Sequence, residues 1–333
     1  MFDKERIAID ITSKTISVLI GHKYSIKDGI IIETPIGAYK DDYIKDVDAI
    51  ANAISPIIKK KKVKDAYFVL RGEDIIIRHI ELPFMKDEAL RDSVEFELRQ
   101  VIGDRMDSLH FDFEVMNNKS DGATKAKIVV VAVEKQKVKS YIELANKLKL
   151  KIQAIDAYAT VANRIVKNLK KTSKNYSKTV GVLELNANSS SISIIEWDKL
   201  LFERYQSFGI ENASSNQINN LNEYKDFLKT IDLTDVDAES NENIDRLMKT
   251  IVGQFNSFID YCMAGKAKKH LDRLILIGSG KEVRGIDKYL ESYLNSIVGD
   301  GPEFNEIKIN VKAPKKILLK DFVYPYGLLL RKE

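Results

Sequence analysis

The sequence predicts an α/β protein of two duplicated lobes, with a small α+β unit inserted in the first. Three observations predict it. Two strand–turn–strand hairpins, starting near Arg6 and Thr179, each place an acid at the end of the first strand and hydroxyls in the turn; the acids, Asp10 and Glu184, stand 174 residues apart. A buried apolar strand, Leu274-Ile-Leu-Ile277, passes through a glycine turn, Gly278-Ser-Gly280, into a helix with Val283, Ile286, Leu290 and Leu294 at helical spacing. Between the hairpins, residues 75–155 read strand-helix-strand-strand-helix-strand, the order of a split βαβ unit.

Length and composition set the frame. At 333 residues the chain exceeds the usual size of one domain, so about two are expected. The 44% hydrophobic and 31% charged residues suit a globular protein that buries a sizeable core. A net charge of +4, with basic and acidic residues interleaved, gives no footprint for nucleic acid. The single cysteine, Cys262, excludes an internal disulfide framework, and Ile259, Tyr261 and Met263 around it predict a buried structural thiol. His22, His79, His110 and His270 lack the spacing of a zinc site. No apolar run is long enough to span a bilayer, and the first residues run into a strand without a signal peptide, so a cytoplasmic protein is expected.

Along the first half, Ile7, Ile9 and Ile11 alternate, then Ile16, Val18 and Ile20, around the turn Thr12-Ser13-Lys14-Thr15. That turn offers hydroxyls, backbone N–H groups and an ammonium to an anion; a plain hairpin with a solvated tip is the other reading. A strand near Gly29–Glu33, a helix over 46–60 and a strand over 66–71 follow. Lys59 to Lys62 suit either an anionic membrane surface or a solvated helix end. In the insert, Leu90, Val94, Leu98 and Val101 form one helical stripe, and a second helix covers about 135–148 before a strand over 151–155. Asp156 is placed to N-cap the helix that runs to Leu169. The polar stretch 170–178 marks the domain boundary.

The second half repeats the first. Gly181-Val-Leu-Glu184 leads through Asn186-Ala-Asn188-Ser189 to Ser191-Ile-Ser-Ile-Ile195, and a third strand covers 200–205. Helical sequence is expected over 211–228, an acidic loop over 230–242, a long helix over 244–268, a strand over 307–311 and a short closing helix after Asp321. The boundaries drawn are 1–79 and 154–177, with the closing helix 320–333, for the first lobe; 80–153 for the insert; 178–228 and 270–319 for the second lobe; and 229–269 for a helical subdomain.

Taken together, the two acid-bearing hairpins and the strand–Gly-x-Gly–helix turn resemble the actin-like (ribonuclease H-like) ATPase superfamily. Within it the chain resembles the PilM family of the type IV pilus inner-membrane platform, related to the division protein FtsA. Arg78-His-Ile-Glu-Leu-Pro83 with Glu95-Phe-Glu-Leu-Arg-Gln100 resembles the start of that family's inserted subdomain, Ile155-Asp156 its return, and Phe322-Val-Tyr-Pro-Tyr-Gly-Leu-Leu-Leu-Arg331 its last helix. The resemblance implies ATP between the lobes. Asp10, Thr12, Ser13, Lys14 and Thr15 would lie on one side of the phosphates, Glu184, Asn186, Asn188 and Ser189 on the other. Asp10 and Glu184 would hold magnesium through water, Gly278, Ser279 and Gly280 would sit by the adenine, and Asn256 and Ser257, with Gln254, by the ribose. It also implies a groove beside the insert that receives the cytoplasmic N-terminal peptide of PilN, a membrane protein, with Phe84, Phe96 and Tyr324 as lining residues. The pilus platform, its motor ATPase and a second copy of the chain are further implied partners, with the protein peripheral at the inner face of the membrane.

The chain departs from that pattern where the family places glycine: Thr12 stands two residues after Asp10, and Leu185-Asn186 follow Glu184. Glycine lets backbone approach a phosphate closely, and β-branched Thr12 does not. Lys14 offsets this in part as a phosphate point charge. Asp156 is the candidate for orienting water in hydrolysis, and at most a weak or degenerate ATPase is expected. An active actin-fold ATPase or small-molecule kinase is one alternative, although no second-lobe carboxylate motif marks a sugar pocket. An FtsA-like filament protein is another. It would carry a C-terminal membrane helix, for which Leu328-Leu-Leu-Arg-Lys-Glu333 ends too soon.

Overall fold

A computed structural model describes residues 4–59, 61–117, 122–170, 179–197, 199–234, 242–264 and 271–331. The first half begins with a meander of β1 (Arg6–Ile11), β2 (Thr15–His22) and β3 (Ser25–Glu33). The short ribbon β4 (Tyr39–Lys40) and β5 (Tyr43–Ile44) leads to α1 (Val47–Ile58), which Asp46 caps by accepting the Ala49 N–H. Next come β6 (Asp65–Leu70), β7 (Ile76–Pro83), α2 (Asp87–Ile102), β8 (Leu109–Val115) and β9 (Lys125–Glu134). The half closes with α3 (Lys135–Lys147), β10 (Lys151–Ala157) and α4 (Tyr158–Lys167). The second half contains β11 (Thr179–Leu185), β12 (Ser190–Glu196), β13 (Lys199–Gln206), α5 (Leu221–Thr230) and α6 (Glu242–Met263). It ends with β14 (Arg273–Ile277), α7 (Ile286–Leu294), β15 (Ile297–Asp300) and α8 (Val323–Leu329).

The two halves build one topology twice. The first sheet has the order β10-β6-β1-β2-β3 and the second β13-β12-β11-β14-β15. In each, an antiparallel meander is extended by two parallel strands beside its first strand. The hairpins match in register: Asp10 faces Ser17 and Glu184 faces Ser191. Both first strands are buried along their whole length, because each lies at the centre of its sheet with packing on both faces.

Helices α4 and α8 explain that burial. α4 packs against β12 and β13, while α8 lies on β1, β2, β6 and α4. One apolar cluster therefore runs from Ile9 and Phe68 through Val161, Ile165 and Leu328 to Val182 and Ile277 of the second sheet. On the other face of that sheet, Leu183, Leu185, Ile192 and Ile194 pack against α5, α6 and α7. A Cβ at Gly327 would stand 2.6 Å from Val161 Cγ1 and 3.2 Å from Val161 O, so α8 meets α4 through a bare glycine. Gly327→Ala is expected to lower stability by about 1–3 kcal/mol, the usual cost of overpacking. The readout is a lower urea midpoint at unchanged slope; an unmoved midpoint would contradict the close crossing.

Four expectations change. The insert does not extend to residue 153: β10 pairs with β6 in the first sheet, and Tyr141, Leu144 and Ala145 of α3 belong to the first-sheet core. What stands apart is the three-stranded sheet β7-β9-β8, whose core joins Leu90, Val94 and Leu98 of α2 to Ala126, Ile128 and Val130; Val101 points to solvent. Residues 307–311 form no strand, only an isolated bridge of Ile307 with Leu169, and Ile307, Ile317 and Leu319 pack in the apolar cluster that joins the two sheets. Helical structure over 211–228 is confined to a turn at Ile210–Ala213 and to α5. Finally, Asp156 lies inside β10, and the N-cap of α4 is Ala157. The expected boundary at 170–178 falls outside the described residues except for Lys170, and of the acidic loop only residues 230–234 and 242 are described. Of the lysine run, Lys61 is paired with Asp28 at 2.8 Å.

Candidate functional site: a cleft closed on an arginine

The duplicated hairpins face each other. Ser13 Oγ donates to Asn188 Oδ1 at 2.7 Å, joining one turn to the other. Between the two acids lies Arg71, a residue that sequence reading took only as the end of a strand. It follows β6, which runs parallel to β1, and this brings its side chain beside Asp10. Nη1 and Nη2 donate to Asp10 Oδ1 and Oδ2, the second at 3.0 Å. Nη2 also donates to Glu184 Oε1 at 2.9 Å, and Nε to the same oxygen at 3.2 Å. The guanidinium is 1% exposed, and both carboxylates are buried with it. Its forked donors suit this double engagement, which a point-charge ammonium could not make.

Surrounding groups fix the arginine. The Tyr324 ring lies under the guanidinium, 4.5 Å from Cζ. Lys137, fully buried, donates through Nζ to the Arg71 carbonyl at 2.7 Å. Asn186 Nδ2 donates to Glu184 Oε1 at 2.9 Å. Burial pushes the Asp10 carboxyl up from its ordinary pKa, and Arg71 pulls against that. The arginine itself is driven further up despite its burial, because Asp10 and Glu184 flank it. Nearby, Tyr205 donates to Asp42 Oδ1 at 2.6 Å and Ser207 N–H to Glu73 at 2.6 Å, further ties between the halves. Burial raises the Asp42 pKa, and the Tyr205 hydroxyl opposes the rise. Tyr205→Phe is therefore expected to cost about 1.5–3 kcal/mol, the range for a hydrogen bond to a charged group. A thermal melt with no shift would overturn that.

The other predicted residues are placed as follows. Thr12 Oγ1 donates to Thr15 O at 3.0 Å and accepts the Thr15 N–H at 3.1 Å, so the first turn closes on its own side chain. Neither Thr12 nor Asn186 takes a positive φ, so the missing glycines cost no backbone strain. Lys14 Nζ reaches Ile218 O at 2.8 Å and Glu211 at 2.9 Å in the second half. The second turn is held beneath Gly209 and by Ile210 N–H donating to Asn186 O at 3.0 Å. Ser279 shares a hydrogen bond of 3.0 Å with Tyr224. On α6, Ser257 Oγ donates into its own helix at Gly253 O, and Gln254 is bonded to Gln206 of β13. Asn256 is half-buried on the same helix.

Two assignments are corrected. Asp156 is no water-orienting group: its carboxylate accepts from Arg164 at 2.6 Å, Arg331 at 3.0 Å and Thr160 at 2.6 Å. Burial acts to raise its pKa, but the two arginines prevail and hold it below the ordinary value. Tyr324 lines no groove, because it is buried against Arg71. Phe84 is half-buried on the insert core, and Phe96 is 62% exposed on α2.

The space between Asp10 and Glu184 does not fit a magnesium–phosphate group. Hydrated magnesium demands octahedral ligands at about 2.0–2.1 Å, whereas here a guanidinium fills the position and takes oxygens of both acids. Thr15 N–H, the Ser13 hydroxyl and the Lys14 ammonium, the donors assigned to phosphate, are all bonded within the protein.

Comparison with known proteins agrees with the architecture. The fold matches that in the "PilM-PilN type IV pilus biogenesis complex" at 15% identity, with a TM-score of 0.78, covering 99% of this chain and 98% of that one. It is also similar to the MamK double helical filament (9% identity, TM-score 0.53, 97% and 98% covered) and to ethanolamine utilization protein EutJ from Carboxydothermus hydrogenoformans (10%, 0.51, 99% and 90%). The fold is thus that of the actin-like ATPases. A family model described as type IV pilus assembly protein PilM matches residues 8–332, nearly the whole chain, and the chain belongs to that family.

Proposed function

We propose that this chain is an actin-like scaffold of the type IV pilus inner-membrane assembly platform, and that it binds the cytoplasmic N-terminal peptide of a PilN-like membrane protein. The observation that carries this is the family match over residues 8–332. The structural likeness to a PilM solved in complex with PilN supports it. Among the described residues no helix is long and apolar enough to cross a membrane, and in this reading the protein sits at the inner face of the membrane through its partner. Nucleotide has no catalytic part in it.

The three-stranded insert supplies the surface. Its sheet order leaves β7 and β8 as edges, and α2, which packs on the sheet through Leu90, Val94 and Leu98, exposes Phe96 to solvent. An extended peptide can add to such an edge through main-chain hydrogen bonds, or dock an apolar side chain on the exposed aromatic. Phe84 and Phe96 are the lining residues in this proposal. Isothermal calorimetry with a PilN N-terminal peptide tests it. Saturable binding is expected, weakened about tenfold or more in Phe96→Ala, the scale of one interface hot spot. Absence of peptide binding together with steady phosphate release from ATP would replace the scaffold by an ATPase.

A further inference from the structure

The cleft carries a second inference, independent of the peptide. We propose that Arg71 is a built-in cation that substitutes for the metal between Asp10 and Glu184, so that the chain closes its own cleft without magnesium or nucleotide.

The topology shows how the substitution arises. Ile9 of β1 pairs with Phe68, and Leu183 of β11 with Leu276. Asp10 and Glu184 follow those residues at equivalent places, so counting along the parallel strands sets Arg71-Gly72 opposite Ser279-Gly280. The fold thus has two related turns after two related strands. In the second half the turn is built of small residues and packs on Leu185. In the first half the same turn carries a long cation, aimed back across both acids.

Charge and burial make the arginine necessary. Two carboxylates buried face to face are costly unless a cation lies between them. Arg71 donates to both oxygens of Asp10 and to Oε1 of Glu184, the Tyr324 ring lies against its guanidinium, and the Lys137 ammonium holds its main-chain carbonyl. Gly72 is itself shaped to this arrangement: a Cβ there would stand 2.4 Å from Lys137 Nζ and 2.3 Å from Asp74 Oδ1. A magnesium ion would have to expel the guanidinium from an aromatic stack and from bonds to two acids on opposite halves. The cleft is therefore a permanent clasp, and the scaffold stays closed in any nucleotide state of the cell.

The test uses the full chain and its Arg71→Ala variant in thermal unfolding, with magnesium chloride alone, with Mg-ATP and with neither. The wild type is expected to melt at one temperature in all three and to show no heat of Mg-ATP binding. Arg71→Ala is expected to melt many degrees lower and to recover several degrees in millimolar magnesium, which fills the vacated place. The same variant carrying Asp10→Asn and Glu184→Gln should lose that response. Wild-type stabilisation by magnesium or Mg-ATP overturns the proposal, and so does an Arg71→Ala chain indifferent to magnesium. If Arg71→Ala does not fold, Arg71→Gln, which keeps most of the length but removes the charge, takes its place with the same magnesium recovery expected, and the wild-type measurement still decides. Peptide binding is a separate titration, so either proposal can fail alone.

Discussion

Replacing Asp156 by alanine is expected to lower the stability of the fold by about 3–5 kcal/mol, the scale of breaking a buried ion pair from one side. The carboxylate is buried and holds Arg164 of α4 and Arg331 after α8. Its removal leaves the Arg164 guanidinium, 14% exposed, without its acid. Arg331 is 38% exposed and can turn to water, so Arg331→Ala should cost far less. The pH dependence has a definite sign. The folded pKa of Asp156 lies below its ordinary value of 3.8. A depressed carboxyl contributes stability that is fully present above the unfolded pKa and is lost as pH falls through the folded one. Denaturant melts of wild type and Asp156→Ala should therefore differ fully at neutral pH and converge below about pH 4. A gap that persists unchanged in acid, or one under about 1 kcal/mol at neutral pH, would show that the arginines find other partners. Either result would reopen a chemical role for this acid.

What the sequence disclosed depended on whether a signal was local. The duplication was legible because each copy repeats an acid, a hydroxyl-bearing turn and a returning strand within a few residues of one another. The type of each element was legible for the same reason, through its period. Partnership was not. Nothing in Lys151–Ala157 says whether that strand extends the insert or returns to β6, since period fixes which face is apolar but not which sheet it joins. Nor does a strand-terminal arginine announce that it will be buried, for such a residue is usually solvated. The available hint was the run Asp65-Ala-Tyr-Phe-Val-Leu-Arg71-Gly72, a strand buried on both faces and ending in a cation, in a fold that brings two acids together. Asp156 was misread for a related reason. A lone acid ahead of a helix suggests a cap, and the arginines that claim it lie eight residues on and at the far end of the chain.

Gly278→Ala carries the other large effect, and it separates two meanings of the glycine turn. Gly278 has φ of +85° with ψ near 180°, a region open in practice to glycine alone. A Cβ there would also lie 2.5 Å from Leu185 O and 2.7 Å from Asn186 Oδ1, the first of them backbone that cannot swing aside. Strain of about 1–3 kcal/mol and an overpacking cost of similar size both apply. A loss of about 3 kcal/mol or more is therefore expected in the absence of any ligand. Gly280 packs on the Leu185 side chain in the same way. A turn kept for adenine would behave differently, since substitution would then weaken nucleotide binding and leave the melting temperature of the free chain nearly unmoved. In this structure the glycines are required by the strand beneath them. They seat the turn on β11, behind Glu184, and so hold one jaw of the cleft against the arginine that closes it.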